Sequence, residues 1–294
     1  MPSSRRTLPA VLLASFFIHS VGGYWPLLQL ATTHIPASNY FDCRLLPGLS
    51  RKQHEICKHN RHAVRAAASG LREAIDECKL QFASEKWNCT TKRGHDAAAL
   101  QVASRESAYV YALTAGAVSR AVAKACALGQ IPDCQCGDRP QQSSKNFIWA
   151  GCSDNVRYGN WFSRRFMDTT EKQRMDGRAL MNLHNNRVTV LPEKSELILK
   201  PSSSRTERST EASKAELVFL EKSPDFCAIN SRKHLPGSSG RECFSEEKCH
   251  DLCCGRGWTV EHQWKNEPCR CKFEWCCEVK CQQCTKLVQR RFCR

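Results

Sequence analysis

The last quarter of the chain holds twelve cysteines: Cys227, Cys243, Cys249, Cys253, Cys254, Cys269, Cys271, Cys276, Cys277, Cys281, Cys284 and Cys293. Its apolar side chains are few, chiefly Leu252, Val260, Phe273, Val279, Leu287 and Val288, with Trp258, Trp264 and Trp275. A segment this small with so little to bury cannot hold a shape by hydrophobic burial alone, so covalent cross-links have to do it. An even number of cysteines at close, irregular spacing reads as a disulfide framework wherever the compartment is oxidising.

The other end of the chain indicates the compartment. Residues 1–23 carry Arg5 and Arg6, then an apolar run from Leu8 to Ile18, then small residues at Ser20, Gly22 and Gly23. That pattern is a secretory signal peptide and is set aside from fold reasoning. The apolar run is too short to serve instead as a bilayer-spanning anchor. The expectation is a secreted, extracellular protein whose thiols become disulfides. With 294 residues, the chain has room for two modest domains. A formal net charge of +15 favours polyanionic surroundings. For a secreted protein those are the sulfated glycans of the extracellular matrix; no nucleic-acid motif accompanies the charge. The blander alternative is that the lysines and arginines only keep a cysteine-rich protein soluble.

Cys43 opens the first domain in the run C-R-L-L-P-G-L. Ile56, Ala63, Ala67, Leu71, Ile75, Cys78 and Phe82 then recur at three- and four-residue steps and predict one helical stripe. The opposite face is basic, and His59 and His62 on it read as solvated side chains rather than metal ligands. Asn88, in Asn88-Cys89-Thr90, is an N-glycosylation acceptor. An alanine-rich pattern from Ala97 to Leu128 predicts a second, longer helix. Its charges at Arg105, Glu106, Arg120 and Lys124 argue for a core helix rather than a membrane span. Gly129 is a plausible cap after it. Residues 171–185 predict a third, weaker helix with Leu180 and Leu183 on one face. No cysteine falls between Cys152 and Cys227, and Pro201 to Ser213 is almost wholly serine, threonine and charge, which is linker composition. The expected organisation is a signal peptide at 1–23, a helical domain at 40–187, a linker at 188–215 and a cysteine-rich domain at 216–294. Eight cysteines precede the linker and twelve follow it, so each domain can close its own bridges.

A series of ordered motifs resembles the Wnt family of secreted signalling ligands. They are C-R-x-L-P-G-L at Cys43, E-C-K-x-Q-F and W-N-C around Cys78 to Cys89, and R-E-S-A-Y-V-Y-A-L from Arg105. W-A-G-C-S-D-N at Trp149 and M-N-L-H-N-N at Met181 follow. The C-terminal set is S-P-D-F-C at Ser223, G-R-E-C at Gly240, D-L-C-C-G-R-G at Asp251 and C-R-C-K-F-E-W-C-C-E-V-K-C-Q-Q-C from Cys269. The Y-A-L run and single sequon are similar to the eleventh Wnt subfamily.

The resemblance implies an α+β, disulfide-rich fold: a helical N-terminal domain, then a cysteine-knot-like C-terminal domain of long β-hairpins. It implies the pairs Cys43–Cys57, Cys78–Cys89, Cys126–Cys134 and Cys136–Cys152 in the first domain. In the second it implies Cys227–Cys254, Cys243–Cys249, Cys253–Cys293, Cys269–Cys284, Cys271–Cys281 and the neighbours Cys276–Cys277. Spacing alone leaves these partners open. The family grips the cysteine-rich domain of a Frizzled receptor, alongside co-receptors, with two protrusions. The finger tip of one maps here onto Phe273, Glu274, Trp275, Cys276, Cys277 and Val279. Exposed Phe and Trp on a stiff hairpin are characteristic binding anchors; the competing reading packs those rings on their own domain.

The second protrusion is where the chain departs from its family. After M-N-L-H-N-N a Wnt continues through a helix into a hairpin of the form C-K-C-H-G-x-S-G-S-C, whose serine carries a palmitoleoyl chain. Here Asn186 and Arg187 run directly into Val188-Thr189-Val190, which resembles the segment beyond that hairpin. No lipid site is assigned. A shortened form and an exon missed in assembling the sequence both fit the gap. Three functions therefore compete: a receptor ligand acting by binding, an inhibitory or inert shortened ligand, and a redox or zinc protein built on Cys281-x-x-Cys284. The last lacks a second well-spaced ligand pair. No catalytic constellation is readable, and no cofactor is expected.

Overall fold

The computed structural model describes residues 25–36, 41–87, 89, 100, 102–138, 151–188, 216–230, 235–275 and 278–294. The proposed leader at 1–23, Asn88 and the vicinal pair Cys276 and Cys277 lie outside the described residues, as do 189–215, most of the expected linker. The fold is α+β and disulfide-rich. Its helical part comprises α1 (Trp25–Thr32), a 3-10 turn (Cys43–Leu45), α2 (Arg51–His59), α3 (Arg61–Gln81), α4 (Arg105–Ala127), α5 (Val156–Met167), α6 (Glu171–Arg174) and α7 (Gly177–Asn185).

The stripe expected to form one helix from Ile56 to Phe82 forms two. Asn60 leaves helical geometry, with φ −137° and ψ 44°, and its side-chain amide donates to the Ile56 carbonyl at 2.9 Å, closing α2. Ser50 and Gln53 form a reciprocal capping box at the start of α2. Gln53 also donates to the Phe166 carbonyl at 2.9 Å, tying that cap to α5.

The alanine-rich helix α4 is the centre of the helical part, with α3 and α5 packed along it. Its small side chains let neighbours approach closely. Gly159 of α5 lies against the Ser119 carbonyl, where a β-carbon would have no room. Helix α4 begins at Arg105 rather than Ala97, because Ser104 is extended, with φ −91° and ψ 172°. It ends as expected at Gly129, whose φ of +69° suits a residue without a side chain.

Two helices of the helical part were not anticipated. Helix α5 buries Phe162 and Phe166, one turn apart and stacked at 5.5 Å between ring centres. Helix α1 packs on α3, where Arg72 donates to the Ala31 carbonyl at 3.0 Å. The single pattern expected over 171–185 is broken at Met175, whose φ of +52° separates α6 from α7. The buried face of α7 is centred on Ala179, Asn182 and Leu183. Leu180 falls outside that arc and is exposed, contrary to expectation.

The C-terminal part holds β1 (Glu242–Cys243), α8 (Glu246–Leu252), β2 (Trp258–Glu274) and β3 (Glu278–Cys293). The antiparallel sheet has the order β1-β3-β2. Among the described residues there is one long hairpin rather than several, paired from Trp258↔Cys293 to Glu274↔Glu278. The core beside it is Cys243, Cys249, Leu252, Cys253 and Cys293, with Trp258 packed on it. Four of those five buried residues are half-cystines, so sulfur replaces the aliphatic core that this part lacks. Among the described residues, no helix is long and apolar enough to cross a membrane.

Candidate functional site

The hairpin β2–β3 carries the residues expected to form the tip, and its root is where the chain invests its cross-links. Cys253–Cys293 joins the end of α8 to the end of β3, Cys243–Cys249 joins β1 to α8, and Cys227–Cys254 joins the preceding segment. Arg290 of β3 makes a two-pronged ion pair with Glu242 of β1, at 2.7 and 2.6 Å. The hydrogen bonds from Arg290 hold the Glu242 carboxyl below its ordinary range. Arg290 also lies over the Phe292 ring, 5.0 Å from its centre. Arg241 reaches the helical part, donating to the carbonyls of Lys86 at 2.7 Å and Ala83 at 3.2 Å. Beside this contact is a cleft of about 760 Å³ whose walls include Phe82, Trp87, Tyr109 and Phe226.

Among the described residues nothing packs on the hairpin beyond its root, and two bridges stiffen it. Cys269–Cys284 joins the strands where a register shift between Cys269 and Lys272 begins, and Cys271–Cys281 joins them within that shift. Arg270 sits inside that shift with φ +46°, the geometry of a bulge. Near the tip Phe273 pairs with Val279. Phe273 is 69% exposed, Val279 61% and Trp275 95%, so none of them packs on its own domain. Lys280 pairs with Glu274 at 2.5 Å, placing a salt bridge beside the rings.

A second exposed pair was not singled out in the sequence. Trp264 lies opposite Leu287, and the two are 68% and 47% exposed. Along β3, Val279 and Leu287 are eight residues apart, an even number, so they share a face. The Phe273–Val279 and Trp264–Leu287 pairs therefore stand on one side of the hairpin, about 26 Å apart. Period-two alternation around Trp264 was the available signal; the register shift at Cys269 hid its continuity with the tip.

The remaining cysteines placed by the structure form Cys43–Cys57, Cys78–Cys89, Cys126–Cys134 and Cys136–Cys152 in the helical part. Cys281 and Cys284 belong to two different bridges, so Cys281-x-x-Cys284 offers neither a redox pair nor thiolates for a metal. The sulfurs of Cys243, Cys253 and Cys293 cluster within 4.8 Å. All three are already in disulfides, and no thiolate is left for an ion.

Helix α7 ends at Asn185, and after Val188 the chain is next described from Glu216 onward. There it runs back along the helical part: Val218 meets Asn185, Leu220 and Glu221 both donate to the Ala103 carbonyl at 2.9 Å, and Ser223 donates to Glu106 at 2.8 Å. This strap leads into the hairpin root.

A stiff hairpin presenting exposed aromatic side chains beside a helical part defines a disulfide-stapled α+β class of protein. The comparisons with known proteins make the class specific. A profile described as the wnt family matches residues 45–196 and 189–294. The chain is 35% identical to Protein mom-2 of Caenorhabditis elegans over 365 aligned positions, covering 97% of this chain and 98% of that one. It also matches a chain in the solved complex of human WLS with WNT8A at 32% identity and a TM-score of 0.55, over 79% of this chain and 94% of that one. The chain belongs to the Wnt family, whose members are signalling ligands rather than enzymes.

Proposed function

We propose that this chain is a secreted Wnt ligand that binds the cysteine-rich domain of a Frizzled receptor through the tip of β2–β3, acting in developmental and cell-fate signalling. The supporting observation is the exposure of Phe273, Trp275 and Val279 on a hairpin cross-linked by Cys269–Cys284 and Cys271–Cys281. Rigid aromatic anchors lose little conformational freedom on binding. Glu274, Cys276 and Cys277 complete the contact surface, Asn88 carries an N-glycan, and the basic charge adds attraction to sulfated glycans. The helical domain at 40–187 and the cysteine-rich domain at 216–294 are the two units of the ligand. Phe273→Ala with Trp275→Ala is expected to weaken capture by a Frizzled ectodomain at least tenfold while leaving secretion unchanged; undiminished capture refutes the tip assignment.

A second reading is favoured by the break after α7: a shortened, non-acylated ligand that is inhibitory or inert. The family profile matches in two pieces that meet at 189–196. About 80 of the 365 positions aligned with mom-2, the excess over 97% of 294 residues, lie opposite gaps in this chain. Burying an acyl chain contributes about 0.8 kcal/mol per methylene, or roughly 8 kcal/mol for ten. Two aromatic anchors contribute on the order of 3–5 kcal/mol. A chain without the lipid therefore keeps the smaller share of receptor affinity. Cells fed an alkyne-tagged fatty acid are expected to leave the protein unlabelled; labelling with full receptor activation overturns this reading.

A further inference from the structure

The M-N-L-H-N-N motif at Met181 is assigned no part in the tip, yet it is among the most heavily bonded stretches of the helical part. Its three asparagines hold three different elements. Asn182 donates to the Glu171 carboxylate of α6 at 3.1 Å, and Asn186 donates to the Asp168 carboxylate at the end of α5 at 3.0 Å. Asn185, fully buried, faces the other way. Its amide nitrogen donates to the Val218 carbonyl at 2.8 Å, and its amide oxygen accepts from the Val218 N–H at 2.9 Å. One side-chain amide thus pairs with a backbone residue at two points, as a neighbouring strand would. His184 adds a contact between its Nε2 and the Glu216 carbonyl at 2.9 Å. Leu217, between these two contacts, packs on the helical core.

The two partners are 33 residues apart in sequence, and the chain between 188 and 216 departs from one side of this junction and returns to the other. We propose that the last turn of α7 is a latch. Asn185, supported by His184, closes the base of whatever segment is inserted between 188 and 216, so that the insert can change in length and content without opening the helical part. This deepens the reading of a shortened ligand, since the missing hairpin would be rooted at this base. Closing a flexible loop becomes only about threefold less favourable for each doubling of its length. A junction held by two hydrogen bonds to a buried amide is therefore nearly indifferent to the insert. Removal of the amide has the opposite effect, stranding the Val218 N–H and carbonyl together.

The test is amide hydrogen exchange at Val218 in the secreted full-length protein. Replacing residues 190–213 with a glycine–serine stretch of equal or doubled length is expected to change exchange at Val218 by no more than about threefold. Asn185→Ala is expected to accelerate it at least tenfold, with smaller changes at Leu220 and Glu221, which are bonded to Ala103. If Asn185→Ala is not secreted, His184→Ala decides the matter, with at least threefold faster exchange over 216–218 expected. The latch is refuted if the substitution leaves Val218 protected, or if the glycine–serine insert alone accelerates exchange tenfold. Receptor capture is not read in this experiment, so its outcome is separable from the tip assignment.

Discussion

Gly70 of α3 lies so close to Ala117 of α4 that a β-carbon at position 70 would stand 2.6 Å from the Ala117 carbonyl oxygen and 2.9 Å from the Ala121 methyl. The obstacle is mainly backbone, which cannot turn aside as a flexible side chain could. The alanines of α4 and this glycine together set how near the two helices come.

Gly70→Ala is therefore expected to destabilise the protein, although alanine is the better helix former by about 1 kcal/mol. Overpacking a close helix contact costs about 1–3 kcal/mol, and the clash outweighs the propensity gain. A lowered unfolding midpoint in denaturant, with an unchanged slope, checks this.

Glu171 predicts a dependence on pH. It is fully buried, and burial pushes its carboxyl above the ordinary 4.5, against hydrogen bonds from Asn182 and Tyr111 that pull it down. The folded state thus holds this proton more tightly than the unfolded chain. The associated stability is present below the unfolded value and is lost as pH rises through the raised folded value. Glu171→Gln is expected to abolish that decline and to raise stability at neutral pH by about 1 kcal/mol. Melting curves across the acid range, compared between the two proteins, measure the difference.

Met175 holds a left-handed backbone with its side chain 62% exposed. Little packing is lost on removing that side chain, while the left-handed region costs an ordinary residue about 1–2 kcal/mol. Met175→Gly is expected to stabilise the protein by up to about 1 kcal/mol after the greater freedom of glycine in the unfolded chain is counted. Thermal unfolding of the two proteins reads the sign directly.

The cystine at the hairpin root is expected to matter most for folding of the C-terminal part, because the core it crosses is largely sulfur. Replacing Cys253 and Cys293 with alanine is expected to cost about 2–5 kcal/mol and to expose β2 and β3 to limited proteolysis. Peptide mapping of the intact protein without reduction is expected to find no free thiol, with Cys269 linked to Cys284 and Cys276–Cys277 within one peptide. A reactive thiol at either pair contradicts the ladder.

Much of this architecture is legible in the residues. The poverty of apolar side chains after Cys227 requires cross-links, and the three- and four-residue steps of Ala63, Ala67, Leu71, Ile75 and Cys78 give the buried face of α3. What eludes periodicity is interruption. Asn60 and Met175 break continuous patterns through backbone geometry that no hydrophobic count registers. Helix α5 is short and strongly basic on its exposed side, so its two buried phenylalanines carry the signal alone. Disulfide partners are likewise closed to spacing, since even counts admit many connectivities. At the candidate tip, Phe273 and Trp275 stand out because large rings are conspicuous among charged neighbours. Trp264 is as exposed as Phe273, but it joins the face of Phe273 only once the register shift is known.

Among the described residues the β2–β3 hairpin is held at one end only, by Arg241, Glu242–Arg290 and Cys253–Cys293, and it projects some 50 Å at strand spacing. It is a cantilever. A tilt of about 5° at the fixed end sweeps the free end through about 4 Å, more than the length of a hydrogen bond. The angle at which the aromatic rings are offered is thus set at the far end of the beam, by an arginine bound to two carbonyls of the helical part.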